Sequence, residues 1–251
     1  MRPPRPSPSL DGGSSEVLAA GAQRGWLALL GGGEFTFGET EEADRFWLDH
    51  AGAGPVGFVP AAAGSADYGK YFSAYLKRLF EREVEVIPIY RDRDARRGKN
   101  LERLRACPIV YLAGGVPDHL LDAIGGSPAA DLLREKVATG GMVVAIAAAA
   151  QCCGAVVRSV FGGRMLSGLD LAPGSVVETN FDPGHDRRLR KLLAMGGVRR
   201  AIGLPAGSAL LLGPEGREET LGTLFSLDEP EGDLQPWMGA LKAGISSGGR
   251  D

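Results

Sequence analysis

The segment from Gly141 to Gly154 holds the residues whose types and order come closest to a catalytic motif. It reads Gly-Met-Val-Val-Ala-Ile-Ala-Ala-Ala-Ala-Gln-Cys-Cys-Gly, an apolar stretch followed by small residues and two adjacent cysteines. A buried strand that turns sharply into a helix is where many α/β enzymes carry a Ser or Cys nucleophile. Cys152 could supply a thiolate there, because helix N-termini lower thiol pKa values. The predicted tip of the turn, Ala147, carries only a methyl group.

Glycine-rich loops after the predicted strands form the second set of candidate residues. Glycine permits positive φ and close backbone approach, so these loops could present backbone amides to an anion or an oxyanion. Tight turns between strands and helices need glycine in any case, which is the alternative interpretation of each loop taken alone. For the acidic residue at 118, a helix cap is favoured over a ligand contact. The predicted binding residues are Gly32, Gly33, Glu34, Gly114, Gly115, Val116, Asp118, Ala148 and Gln151.

The loops follow strands that alternate with helices, which is the pattern of a parallel sheet covered by helices on both faces. In such a sheet, ligands bind outside the carboxyl ends of the strands, where the candidate residues lie. The sequence therefore predicts a three-layer α/β sandwich with a mostly parallel central sheet. The predicted strands are 26–30, 56–59, 84–89, 109–112, 142–147 and 176–179.

Helical patterns fill the gaps between these strands. Apolar residues recur at helical spacing in 40–51, 68–82 and 128–138, and a further buried helix is predicted to begin over 151–157. Near the C-terminus, 209–212 and 221–225 flank a Gly-Pro-Glu-Gly turn at 213–216. This arrangement predicts an antiparallel hairpin at the edge of the sheet.

Composition and charge exclude several classes of function. The 251 residues carry a net charge of −3 and only short basic runs, so we expect no binding to nucleic acid. Three cysteines without metal-ligand spacing predict neither a disulfide framework nor a metal site, and no motif indicates a cofactor. No apolar stretch approaches the ~20 residues of a membrane span. We therefore expect a cytoplasmic protein that does not associate with membranes.

We expect one domain at residues 25–238, since 251 residues with 44% hydrophobic content can bury a substantial core. Residues 1–24 are rich in Pro, Ser, Gly and Ala and lack the continuous apolar stretch of a secretory signal. We interpret them as a disordered leader. Residues 239–251 are small and polar, and are interpreted as a flexible tail.

Six short segments follow one another in a recognisable order. They are Gly-Gly-Gly-Glu-Phe at 31–35, Val-Pro-Ala-Ala-Ala-Gly at 59–64, Val-Tyr-Leu-Ala-Gly-Gly at 110–115, Gly-Leu-Asp-Leu-Ala-Pro-Gly at 168–174, Glu-Thr-Asn-Phe at 178–181 and Ile-Gly-Leu-Pro-Ala-Gly-Ser-Ala-Leu at 202–210. Together they resemble the cyanophycinase and aspartyl dipeptidase group of serine peptidases, which has the class I glutamine amidotransferase-like fold. The resemblance implies hydrolysis of peptides or isopeptides next to aspartate, in a fold that often forms dimers.

The sequence departs from this family where the family carries its chemistry. The nucleophile motif Gly-x-Ser-Ala-Gly-Ala aligns with 145–150 and puts Ala147 at the serine. The histidine motif Asp-x-His-Phe becomes Glu-Thr-Asn-Phe at 178–181, so Asn180 replaces the general base. A third motif, Gly-Ile-Asp-Glu-x-Thr-Ala, loses both acidic residues at 203–209. A methyl group cannot attack a carbonyl, and Asn cannot accept a proton at neutral pH.

We therefore expect a peptidase-like pseudoenzyme that lacks the Ser-His pair and keeps its pocket for binding, regulation or scaffolding. A small acidic or peptide-like ligand and a protein partner are both compatible with this expectation, as is a homodimer. The alternative is an active hydrolase of aspartyl peptides or isopeptides with Cys152 as a displaced nucleophile. That alternative needs a ten-residue strand over 142–151, and it needs His185 to fold back towards the pocket as the base.

Overall fold

The computed structural model describes residues 23–63, 65 and 67–237. The predicted tail and residues 1–22 of the predicted leader lie outside the described residues. The last two leader residues are tied to the domain. The Arg24 N–H donates to the Ala138 carbonyl over 3.3 Å, and the Gln23 amide donates to the Leu212 carbonyl over 2.8 Å.

Strands and helices alternate through the described residues. The strands are β1 Trp26–Leu30, β2 Val56–Val59, β3 Val84–Val86, β4 Ile109–Leu112, β5 Met142–Ile146, β6 Val156–Arg158, β7 Met165–Ser167, β8 Ser175–Thr179, β9 Arg200–Leu204, β10 Ala209–Leu212, β11 Glu218–Leu221, β12 Phe225–Leu227 and β13 Gln235–Pro236. The α-helices are α1 Glu41–Leu48, α2 Tyr68–Phe80, α3 Asp92–Ala95, α4 Gly98–Ala106, α5 Pro117–Ile124, α6 Pro128–Thr139, α7 Ala148–Cys152 and α8 Arg187–Leu193. Short 3-10 turns lie at Phe35–Phe37, Pro183–His185 and Pro214–Gly216.

The large sheet has seven strands in the order β11-β10-β1-β5-β4-β2-β3. Strands β1 to β5 run parallel to one another, whereas β10 and β11 form an antiparallel hairpin at one edge. The strand order reverses beside β1 and β5, so the loops that follow these two strands flank a crevice. This arrangement confirms the predicted three-layer α/β fold with a mostly parallel sheet.

Both faces of the large sheet are covered in its centre, which explains why β1, β2, β4 and β5 are almost continuous apolar runs, whereas the edge strand β3 is only half-buried. In β5, Val143 and Ala145 join one core cluster, and Met142, Val144 and Ile146 join the other. Helices α4, α5 and α6 cover the first face, and α1 and α2 cover the second. Burial of apolar surface on both faces is the main term that stabilises this architecture.

A second sheet, in the order β13-β12-β9-β8, lies beside the large one. The strand predicted at 176–179 belongs here as β8, where it pairs in parallel with β9, and not in the large sheet. The two sheets are joined where the Asn180 N–H donates to the Gly31 carbonyl over 2.7 Å. The end of β8 therefore reaches the same crevice as the end of β1.

The predicted strand at 84–89 is shorter in the structure. It ends at Val86, because Pro88 has no N–H to donate to a ladder, although Ile87 and Ile89 stay fully buried. The predicted hairpin is confirmed, but its second strand is 218–221 and not 221–225. Gly222, with φ of 73°, ends that strand, and Phe225 pairs in the second sheet.

The helix predicted to begin over 151–157 lies at a different place in the structure. Helix α7 begins three residues earlier, at Ala148, and ends at Cys152. The Ala155 N–H donates to the Ser175 carbonyl over 2.8 Å instead of continuing the helix. The next residues form β6, which pairs with β7 as a separate two-stranded hairpin.

Candidate functional site

Ala147 forms the sharp turn between β5 and α7, with φ of 51° and ψ of −120°. Residues other than glycine rarely adopt this conformation, and it costs of order 1–3 kcal/mol. The Ala147 N–H donates to the Leu30 carbonyl over 3.0 Å, and the Ala147 carbonyl accepts from the Gln151 N–H over 3.1 Å. Backbone hydrogen bonds thus hold the turn on both sides. We call this turn the elbow; it is the position that the resemblance assigns to the nucleophile.

A cleft of about 460 Å³ opens on one side of the elbow, and both Ala147 and Asn180 line it. Asn180 follows β8 in the left-handed region, with φ of 48°. Its side chain lies against Gly32, where an added Cβ would come within 2.3 Å of the Asn180 Oδ1. Gly32, with φ of 136°, is therefore needed both for its backbone conformation and for the space that Asn180 occupies.

A buried polar group forms part of the cleft wall. The Gln151 amide donates to the Thr179 Oγ1 over 2.8 Å and to the Glu178 Oε1 over 3.4 Å. The Arg188 Nε donates to the Glu178 Oε2 over 2.7 Å. Burial raises the pKa of Glu178, and the Arg188 guanidinium acts in the opposite direction by favouring the ionised carboxylate.

Cationic side chains dominate the outer part of this region. Arg158, at the end of β6, lines the cleft together with Arg188. An adjoining pocket of about 640 Å³ adds Arg187 and Lys191 from α8. Glu178 accounts for the charge of Arg188, but none of the described carboxylates forms an ion pair with Arg158. Glu178 nevertheless feels the charge of Arg158, so two guanidiniums share one carboxylate and the cleft keeps an excess of positive charge that could attract an anion.

A second cavity, of about 300 Å³, lies on the other side of the elbow. Ala147 and Gly115 line both cavities, so the two spaces meet at the turn. The loop residue Gly115 has φ of 144°, and an added Cβ would lie 2.2 Å from the Ala62 carbonyl oxygen. Gly33, Glu34 and Gly114 line this second cavity only.

Two of the predicted binding residues, Val116 and Asp118, form hydrogen bonds that hold other parts of the protein in place. Val116 is the N-cap residue of α5, and its N–H donates to the Ala62 carbonyl over 3.1 Å. Asp118 is buried in the first turn of α5, and the prediction that it caps this helix is wrong, because its carboxylate accepts from the Ser159 hydroxyl and from the Val160 N–H. Asp118 thereby fixes the loop after β6 that flanks the cleft. Of the remaining predicted residues, Ala148 and Gln151 line the cleft.

Cys152 is fully buried, and its thiol lies 3.7 Å from the Pro117 carbonyl. Burial raises the pKa of the Cys152 thiol well above its ordinary value. Burial likewise raises the pKa of the neighbouring Cys153 to about 12. His185 lines the adjoining pocket and not the cleft; its side chain is 85% exposed and pairs with Asp182 over 2.7 Å. The surroundings of Cys152 thus disfavour a thiolate nucleophile, and His185 is not placed to activate it.

Sequence reasoning missed several residues of the two cavities. Arg158 and Ser159 come from the β6–β7 hairpin, a segment in which a helix was expected. Tyr68 and Tyr111 line the second cavity but have the apolar spacing of ordinary core residues in α2 and β4. No sequence motif singled out Arg158, because its place in the cleft depends on the β6–β7 hairpin.

The described residues contain no group of three or more His, Cys, Asp or Glu side chains arranged to hold a metal ion. Among the same residues, no helix combines the length and the apolar character needed to cross a membrane.

Comparison with known proteins identifies relatives of this fold. The family model for peptidase family S51 matches residues 27–218. A peptidase from an acI-B1 Actinobacterium has a similar crystal structure, with a TM-score of 0.68 and 18% identity over 88% of this chain and 96% of that one. A peptidase E-type protein from Listeria monocytogenes EGD-e gives a TM-score of 0.56 and 15% identity over 81% of this chain and 98% of that one. No curated protein matches the sequence.

Proposed function

The chain belongs to peptidase family S51, and we propose that it binds a small anionic, peptide-like ligand in the cleft beside the elbow without hydrolysing it. The single observation that carries this proposal is Ala147 itself, with φ of 51° and ψ of −120° in a turn that suits a nucleophile. The backbone conformation of a nucleophile elbow is present, but the side chain has no oxygen or sulfur. An acyl intermediate cannot form on a methyl group.

The neighbouring residue in the cleft supports the same conclusion. Asn180 shares the cleft with Ala147, at the position where the resemblance puts the histidine. A side-chain amide is not a base at neutral pH, so it could not activate a hydroxyl or a water molecule. The displaced-nucleophile alternative is weakened by the complete burial of Cys152 and its raised thiol pKa.

The ligand class follows from the charges of the cleft. Arg158 forms no ion pair with a described carboxylate, and it lies near the Glu178–Arg188 pair, so two guanidiniums face one carboxylate in the cleft. Guanidinium groups bind carboxylates with two parallel hydrogen bonds, which favours a ligand with at least one carboxylate. A volume of about 460 Å³ suits a ligand of dipeptide size.

Aspartyl-leucine and β-aspartyl-arginine are suitable probes, because each combines a peptide or isopeptide bond with free carboxylates. We expect calorimetry to detect binding, and proton NMR to show that both compounds stay intact during long incubation. An Arg158→Gln variant should bind about tenfold more weakly, because a charge-assisted hydrogen bond is lost. Arg91→Gln is the matched control, since Arg91 is exposed and lines neither cavity at the elbow.

Release of free aspartate by the wild-type protein would overturn the proposal, because turnover requires a nucleophile that we have not assigned. Absence of binding would instead refute the anion-binding role alone. A complementary test is the double variant Ala147→Ser with Asn180→His, labelled with a fluorophosphonate probe. We expect label on the double variant and none on the wild type, and a labelled wild-type protein would contradict the assignment of the elbow.

A further inference from the structure

The cavity of about 300 Å³ on the far side of the elbow has a different chemistry from the cleft. Among the described residues that line it, Glu34 alone carries a charged side chain, and aromatic residues form much of the wall. We propose that this cavity binds an organic cation, a primary ammonium or a guanidinium, with Glu34 as its counter-ion. The inference goes beyond the anion site, because it involves other residues and holds whether or not the cleft takes an anion.

The described groups that donate hydrogen bonds to the Glu34 carboxylate are all neutral. Its Oε1 accepts from the Thr36 N–H over 3.2 Å and from the Thr36 hydroxyl over 3.1 Å. Its Oε2 accepts from the Tyr68 hydroxyl over 3.1 Å. Within the described residues, Glu34 forms no ion pair, so its negative charge is oriented but not neutralised. A carboxylate fixed in this way has acceptor capacity left for a ligand.

The walls of the cavity favour a cation that carries apolar groups. The rings of Phe35 and Tyr68 meet edge to face with centroids 5.0 Å apart, and Tyr111 lies beside them in the lining. The negative face of an aromatic ring attracts an ammonium or a guanidinium. Phe35 and Tyr111 are almost completely buried, so their rings offer a preorganised surface.

A second carboxylate lies close enough to influence this cavity. Asp44 is fully buried and accepts from Thr40, Trp47 and Tyr75, which are again neutral donors. Burial is the main cause that raises the pKa of Tyr111, and the negative charges of Asp44 and Glu34 raise it further. Both carboxylates therefore lie near enough to the Tyr111 side of the cavity wall to favour a cationic ligand there.

The size of the cavity and its single carboxylate limit the ligand. Hard metal ions require several oxygen ligands, and one carboxylate beside aromatic rings does not supply them. The cavity has a volume suited to a ligand head group and not to a folded peptide. An alkylammonium or alkylguanidinium group meets both conditions. Because Ala147 lines both cavities, a zwitterionic ligand could place its cation here and its carboxylate at Arg158.

The test uses n-butylguanidinium as the cation and n-butylurea as its neutral analogue of the same shape. Saturation-transfer NMR and calorimetry on the whole protein should detect n-butylguanidinium with at least about tenfold higher affinity than n-butylurea, because the charge-assisted hydrogen bond is absent from the urea. Glu34→Gln keeps the hydrogen-bonding shape and removes the charge, and it should reduce the cation affinity about tenfold. Glu42→Gln, on an exposed residue of α1, should leave it unchanged.

Equal binding of n-butylguanidinium and n-butylurea, or unchanged binding by the Glu34→Gln variant, would overturn the proposal. Loss of cation binding on Tyr68→Leu, which removes the ring and the hydroxyl, provides a second readout should the first variant fold poorly. Arg158→Gln should leave n-butylguanidinium binding intact, since Arg158 lines only the other side of the elbow. Failure of the anion site and failure of the cation site are thereby distinguished.

Discussion

Replacing Ala147 by glycine should stabilise this protein, which is the reverse of the usual effect of glycine near a helix. Ala147 has φ of 51° and ψ of −120°, a conformation that glycine adopts without penalty. The two backbone hydrogen bonds of the elbow, to Leu30 and from Gln151, do not involve the side chain, so they are kept in the variant. The substitution therefore relieves the strain without disturbing the turn.

The expected change in the free energy of unfolding is the strain relieved, less the entropy and burial that alanine provides. Strain at a position of this kind costs about 1–3 kcal/mol. Glycine gives back about 0.5–1 kcal/mol through the greater entropy of the unfolded chain, and the half-buried methyl group of Ala147 contributes a further fraction of about 0.8 kcal/mol. The net expectation is a gain of about 1 kcal/mol in the free energy of unfolding, or about 2–4 °C in the melting temperature for a domain of this size.

Urea denaturation followed by circular dichroism measures this change, with Ala149→Gly as the matched control. Ala149 lies two residues along in α7 and is fully buried, so the same chemical change there should cost about 1 kcal/mol or more. Opposite signs at the two positions are the expected result. Destabilisation of equal size at both would show that the elbow carries no strain, and our account of the turn would then be wrong.

Three further predictions concern buried groups. Burial raises the pKa of Asp44 to about 6, so the stabilisation from protonated Asp44 is complete below the unfolded pKa near 3.8 and is lost as the pH rises through 6. The free energy of unfolding of the wild type should therefore fall by about 2 kcal/mol more than that of Asp44→Asn between pH 4 and pH 7. Urea denaturation that gave parallel pH profiles for the two proteins would contradict this. Cys152 and Cys153 should resist iodoacetamide in the native protein and react after denaturation, as mass spectrometry can determine; native labelling would reopen the cysteine alternative. Arg188→Met should lower the free energy of unfolding by about 1–2 kcal/mol at pH 7 and by less at pH 4, because the buried Glu178 carboxylate loses the half-exposed Arg188 guanidinium that pairs with it. Equal effects at the two pH values would exclude this cause.

Regular elements were predictable where a local pattern determines them. Strands β1, β2 and β4 have the predicted bounds, because an apolar run between turn residues needs no distant partner to be recognised. The assignment of β8 to a second sheet was not predictable, since it depends on pairing with β9, which comes twenty residues later. Residues 151–157 were misread for a similar reason: the chain leaves α7 to form a hydrogen bond with Ser175.

Some residues of the candidate site were likewise predictable from the sequence, and others were not. The pairing of Ala147 and Asn180 in one cleft was expected from the motif order, because both residues follow strands whose ends meet at the crevice. Arg158 had no such signal, since in the described part of the chain β6 and β7 pair only with each other. The opposite charges on the two sides of the elbow are a property of the assembled structure and of no single segment.

The elbow keeps its shape for reasons independent of catalysis. Its bend is held by backbone hydrogen bonds to β1 and within α7, and by the buried strand β5 before it. A hydroxyl at position 147 would add nothing to any of these interactions. The fold therefore tolerates alanine there, and it retains two cavities of opposite charge that meet at the turn. Under the function proposed above, the residues at 147 and 180 would decide whether hydrolysis occurs, whereas the backbone keeps the two cavities in either case.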